Sequence, residues 1–171
     1  MAQAPARNPL PFLCVGHAYD HMFMLLYPTV VLALEAPMQM TYGELIALAT
    51  PGFILFGAAA PLTGWLADRW SAVGMMTVFF IGIGLAAMLT GLADGPLALS
   101  LGLALIGVFA AIYHPVGIAM VIQTAGDKRG RNLAISGIFG SFGLGSAALV
   151  AGALTDFAGW RAAFLVPGAV S

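Results

Sequence analysis

Polar positions are rare along this chain and fall in clumps, so the apolar runs between them can be read directly. Leu45 to Ala67, Trp70 to Ala93, Gly95 to Gly126 and Asn132 to Thr155 hold no Asp, Glu, Lys or Arg. Each reaches or exceeds the roughly 20 residues that a helix needs to cross about 30 Å of hydrocarbon. A further run, Phe12 to Leu34, has the same length but carries His17, Asp20 and His21. Helices are the expected form, because backbone amides in lipid must find partners within their own segment. The pattern therefore predicts spans at about 12–34, 45–67, 72–93, 96–124 and 132–155. A sixth would begin at 161 and be cut short at 171. The connections at 35–44, 68–69, 94–96, 127–131 and 156–161 are short, which forces neighbouring helices to run antiparallel.

Composition agrees with this division and sharpens it. The 171 residues are 61% hydrophobic and 8% charged, against roughly 25% charged in a soluble domain. Lipid is the solvent for most of such a surface. No basic block exists that could follow a phosphate backbone, so nucleic acid is excluded as a partner. Cys14 is the one cysteine, which rules out a disulfide within the chain. The first eight residues lack the pattern of a cleaved signal peptide. With the N-terminus on the cytoplasmic side, Arg7, Arg69, Lys128, Arg129 and Arg131 fall inside and only Arg161 outside. The positive-inside rule thus favours that orientation.

An internal repeat runs through the chain. At an offset of 88 residues Gly52 falls on Gly140, Gly57 on Gly145, and Ala59-Ala60 on Ala147-Ala148. Gly64, Leu66 and Asp68 fall on Gly152, Leu154 and Asp156. Three helices per repeat is an odd number, so the second copy must be inverted in the membrane. Inverted three-plus-three repeats are a construction of secondary transporters.

Three clusters hold the candidate chemistry. His17, Asp20 and His21 share a helical stripe with Met24 and Pro28. Each ionisable group in mid-membrane costs roughly 2.5–3.5 kcal/mol on insertion scales. The stripe therefore faces a cavity, where Asp20 and the histidines would carry protons or substrate, or it is packed and hydrated near a helix end. A third reading is a metal-binding membrane protein using His17, Asp20 and His21. Those three residues alone are too few to fix an ion, and neither a metal nor any other cofactor is assigned. Tyr113-His114-Pro115 interrupts the fourth span. There the open readings are a proline-kinked helix whose His114 bonds a freed carbonyl, and a cavity-lining residue. Gly64, Asp68 and Arg69 form a tight polar connection in which Asp68 could cap the next helix. The glycines and serines of the fifth span, including Ser136, Gly140, Gly143 and Gly145, suit close helix packing. Trp65, Trp70 and Trp160 stand at span ends, where indoles anchor to the interface. No Ser-His-Asp, zinc-protease or phosphate-loop pattern occurs, so neither an enzyme nor direct ATP drive is expected.

Gly64-Trp65-Leu66-Ala67-Asp68-Arg69 resembles the loop signature of the major facilitator superfamily, and Trp160-Arg161-Ala162-Ala163-Phe164 resembles a recurring pattern there. Gly16-His17-x-x-x-His21 and His114-Pro115 look most like the branch of fosmidomycin-resistance-type exporters. The loop departs from the family by continuing Trp70-Ser71-Ala72-Val73 instead of with glycine and arginines. The fourth span lacks an arginine seen in many proton-coupled members, and the fifth has no Gly-Pro step. The resemblance implies an all-α membrane protein, the six-helix N-terminal half of a twelve-helix transporter, ending within helix six. It also implies secondary active transport of a small solute by alternating access, as a proton-linked antiporter in the inner membrane. The C-terminal half would then be a required partner, and the Asp68-Arg69 loop a latch between halves. The competing expectation is a non-transporting truncated fragment.

Overall fold

The computed structural model describes residues 8–171, so Arg7 of the orientation count lies outside the described residues. Every regular element in them is helical. Helix α1 is Leu10–Met38, α2 Tyr42–Ala47, α3 Thr50–Arg69, α4 Ala72–Gly91 and α5 Pro96–Ala110. A π-helical turn, Tyr113–Gly117, leads into α6, Ile118–Thr124; α7 is Arg129–Ala158 and α8 Ala162–Ala169. Five stretches are long and apolar enough to cross a membrane: Leu10–Met38, Tyr42–Arg69, Ala72–Gly91, Pro96–Thr124 and Gly126–Ala158. Large apolar side chains such as Ile81, Leu97, Ile138 and Leu149 are exposed, as lipid-facing positions would be.

The ends of the spans differ from the sequence reading in ways the local chemistry explains. α1 does not stop at Leu34 but carries Glu35 and Pro37 inside the helix. It closes at Gln39, whose backbone is left-handed at φ 52° and whose side-chain amide donates to the Ala36 carbonyl at 2.8 Å. The second span begins earlier than Leu45, because Thr41 and Glu44 form a reciprocal capping box that starts α2. Pro51 then restarts the helix as α3. The break would leave carbonyls bare, and neighbours fill them: Tyr27 Oη donates to the Leu45 carbonyl at 2.6 Å and Ser100 Oγ to that of Leu48 at 3.0 Å.

The regular α-helix of the fourth span is interrupted around Pro115 by the π-turn. Proline has no N–H for the carbonyl four residues back, which here belongs to Ala111. Thr63 Oγ, from α3, donates to that carbonyl at 2.9 Å. Of the two readings open for His114, the one in which it bonds the freed carbonyl is set aside: a threonine from another helix does so, and the π-turn absorbs the register change.

Packing follows the repeat. α1 lies along α7, α3 along α5, and α4 contacts both α5 and α8. If the spans are numbered one to six, exchanging one with four, two with five and three with six converts the first seam into the second. Both seams close on glycine. A Cβ on Gly52 would sit 2.6 Å from the Leu103 carbonyl oxygen, and one on Gly143 would overlap the backbone of Ala18. The buried core joins Phe23, Leu26 and Tyr27 of α1 to Phe79 and Ile83 of α4 and to Leu99 and Ile106 of α5.

Candidate functional site

The α1–α7 seam positions the first histidine. Ser136, fully buried on α7, presents both its carbonyl and its hydroxyl to His17 Nδ1, at 2.8 and 3.0 Å. A carbonyl only accepts, so Nδ1 of His17 carries the proton and the lone pair is left on Nε2. Tyr113 from the π-turn stacks on His17 with ring centroids 4.9 Å apart. Its hydroxyl donates to the Leu13 carbonyl at 2.7 Å and lies 3.4 Å from Ser136 Oγ. That proton being committed, Ser136 is the donor to Tyr113. The chain of donors locks the orientation of the His17 ring. Gly140 leaves the ring its space, since a Cβ there would come within 2.8 Å of Nε2.

His21 lies one turn further along α1, with Nε2 3.2 Å from Nε2 of His17. Because that atom of His17 is the acceptor, neutral His21 donates from Nε2. His114 comes across from the π-turn, with its ring centroid 5.5 Å from His17 and 5.4 Å from His21 in edge-on geometry. Phe56 of α3 meets it edge-on at 5.8 Å. One ring nitrogen of each histidine lies within 4.8 Å of the others. The cluster grades from buried His17 through half-buried His21 to exposed His114.

Asp20 is fully buried, and its Oδ2 lies 3.3 Å from His114 Nδ1. Among the described residues, neither carboxylate oxygen receives an aligned hydrogen bond. The contact with His114 is one of charge and proximity. An aspartate without donors in the protein interior is costly, and its one nearby partner belongs to another span. Thus His17, Asp20, His21, Tyr113 and His114 form a single cluster built from α1 and the π-turn. Ser136, which fixes the tautomer of His17, was read in the sequence only as part of a small packing face. Its signal was weak because a serine in a glycine-rich span looks like any other small residue.

Gly64, Asp68 and Arg69 are elsewhere. All three lie on α3, and Asp68 does not cap α4: Ser71 does, accepting from the Gly74 amide at 3.0 Å. A hydroxyl next to the first turn simply reaches the amides better than a carboxylate three residues earlier. The Arg69 guanidinium lies over the Trp65 ring at 4.6 Å. Gly64 and Asp68 line a cavity of about 100 Å³ together with Pro115, Met120 and Gln123. This end of α3 therefore lies beside the fourth span, while its echo at Gly152 to Asp156 lies in the last turns of α7. Arg161, beyond that echo, donates to the carbonyls of Gly91 and Ala93 at 2.9 and 2.8 Å and pairs with Asp94 at 3.3 Å. It thereby closes the C-terminus of α4.

Five apolar spans, a repeat expressed in matched helix seams, and ionisable residues gathered between helices define a multi-pass membrane protein of the transporter type. The chain belongs to the Major Facilitator Superfamily, which it matches over residues 13–171. It is similar to a puromycin resistance protein of Streptomyces alboniger, with 34% identity over 110 residues, covering 63% of this chain and 22% of that protein. It is also similar to an uncharacterised MFS-type transporter of Bacillus subtilis strain 168, YfnC, with 26% identity over 156 residues, covering 86% of this chain and 37% of that protein. The chain thus spans well under half the length of these relatives.

Proposed function

We propose that this chain is the first six-helix part of a secondary exporter that moves a small solute by alternating access, in exchange for protons. The observation that carries the reading is Asp20, a fully buried carboxylate with no hydrogen bond, 3.3 Å from an imidazole on another span. A proton moving on or off that pair changes the buried charge by one unit. Such a change biases a conformational equilibrium only if the two states differ in how they accommodate it. His114 is exposed on a face this chain does not cover, which suits a central cavity completed by a second set of six helices. Export is favoured by the likeness to a puromycin resistance protein and by the Gly16-His17-x-x-x-His21 resemblance. The basic residues favour the cytoplasmic membrane with the N-terminus inside. The Gly64-Asp68-Arg69 motif at the end of α3 acts as the latch between halves, as its place beside the fourth span allows.

The test uses the chain joined to its C-terminal half, in inverted membrane vesicles under an imposed pH gradient, with puromycin and other small organic cations as trial solutes. Asp20→Asn, which keeps the shape and removes the charge, should abolish gradient-driven accumulation while leaving the amount of protein in the membrane unchanged. Undiminished pH-driven movement in that variant would sink the proton coupling.

A further inference from the structure

We infer that His17, His21 and His114 form a three-imidazole site for a divalent first-row transition-metal ion, with Zn²⁺ as its simplest occupant. All three histidines of the chain are in this one cluster. Their orientation is that of ligands. His17 donates from Nδ1 to the Ser136 carbonyl at 2.8 Å and so directs the Nε2 lone pair at His21. His114 turns Nδ1 to Asp20 Oδ2 at 3.3 Å, which leaves its other ring nitrogen free. A ring nitrogen held by a carbonyl behind the ligating one, as in His17, or lying beside a carboxylate that could accept from it, as in His114, is the supporting arrangement that metal-bound histidines use.

The spacing also fits. Tetrahedral zinc with bonds of about 2.0–2.1 Å holds its nitrogens about 3.3 Å apart. His17 and His21 already stand 3.2 Å apart through Nε2, and an ion between them would replace the His21 Nε2 proton, which moves to Nδ1 of that ring or to solvent. His114, the most exposed of the three, has a ring nitrogen within 4.8 Å of the other two and would have to approach them for all three to bind one ion. The fourth position would face the exposed side of His114, where water or a solute can enter. Imidazole ligands suit zinc, copper, nickel and iron better than they suit calcium or magnesium.

The same site accounts for Asp20. Its oxygens receive no hydrogen bond, yet a carboxylate behind a metal-bound imidazole is compensated through that ring by the charge of the ion. The inference concerns binding alone and stands whether or not the protein exchanges protons.

The experiment is a Zn²⁺ titration by calorimetry, and a Co²⁺ titration followed by visible absorption, on the whole chain purified in detergent with a tag free of histidine. One equivalent should bind saturably, with Co²⁺ giving the intense bands of a tetrahedral centre. Asp20→Asn should weaken binding about 10–100-fold, as loss of a supporting partner does, and His21→Gln or His114→Gln should weaken it further. His21 and His114 make no bond to the backbone, so thermal melting without metal should be little changed in those two variants. Absence of one-equivalent binding would overturn the site. So would undiminished affinity when all three histidines are replaced by glutamine, which would place the metal on surface carboxylates.

Discussion

The two glycine seams are copies of one another, and only one carries chemistry. Leu48 and Ser136 occupy the same position in the repeat, four residues before Gly52 and Gly140. Each backbone carbonyl is taken by a side chain from the partner helix. In the α3–α5 seam the donor is the hydroxyl of Ser100 at 3.0 Å; in the α1–α7 seam it is the imidazole of His17 at 2.8 Å. The Ser100 hydroxyl has no other partner than the Leu48 carbonyl among the described residues. An imidazole has a second nitrogen, and fixing the first aims the second at His21. The repeat thus supplies a scaffold twice over, and the site arises where one copy replaces a neutral donor with a two-ended ring.

That contrast can be broken at its foundation first. Gly52→Val and Gly143→Val each drive side-chain atoms into a partner backbone, and each should cost about 1–3 kcal/mol or more, as overpacking does. Gly57→Ala and Gly145→Ala, which are equivalent in the repeat, meet open space and should be nearly neutral by comparison. Thermal melting in detergent reads all four; equal stability across both pairs would refute the seam argument. Next in size, Thr63→Val orphans the Ala111 carbonyl left bare by Pro115, with an expected loss of about 1–3 kcal/mol. Thr63→Ser should recover most of it. The smallest effect belongs to Ser100→Ala, about 0.6 kcal/mol, the average for a hydrogen bond between membrane helices. It should leave the site untouched. Ser136→Ala keeps the carbonyl acceptor and removes the hydroxyl, so it should change melting by a similar amount. Unlike Ser100→Ala, it should also alter the ring environment of His17 in a histidine-selective NMR spectrum. Identical spectra for wild type and Ser136→Ala would remove the distinction between the seams.

Much of this was legible along the chain. Charge-free runs located the spans because lipid enforces one rule on all of them: every backbone group must be satisfied within its segment. The Gly64-x-Leu66-x-Asp68 echo at Gly152 pointed to the repeat, and helical spacing put His17, Asp20 and His21 on one stripe. What could not be read were partners across helices. Asp68 was a reasonable candidate to cap α4, but Ser71 sits closer to the first turn. His114 was a reasonable donor to the carbonyl that Pro115 frees, but Thr63 reaches it from α3. Both outcomes have the same cause: competition between donors is decided by distances that spacing along one helix does not encode.

The sequence by itself therefore determined that the protein lives in lipid, that its helices repeat in threes, and which residues are too polar to face hydrocarbon. Those follow from local and one-dimensional facts, namely hydropathy, length and periodicity. Only the tertiary structure decided that three histidines converge, that Ser136 fixes which nitrogen of His17 carries the proton, and that Asp20 stands behind His114. Each of these is a contact between different spans, separated by as many as 119 residues. Their geometry is set by how closely two glycine-lined helices can approach.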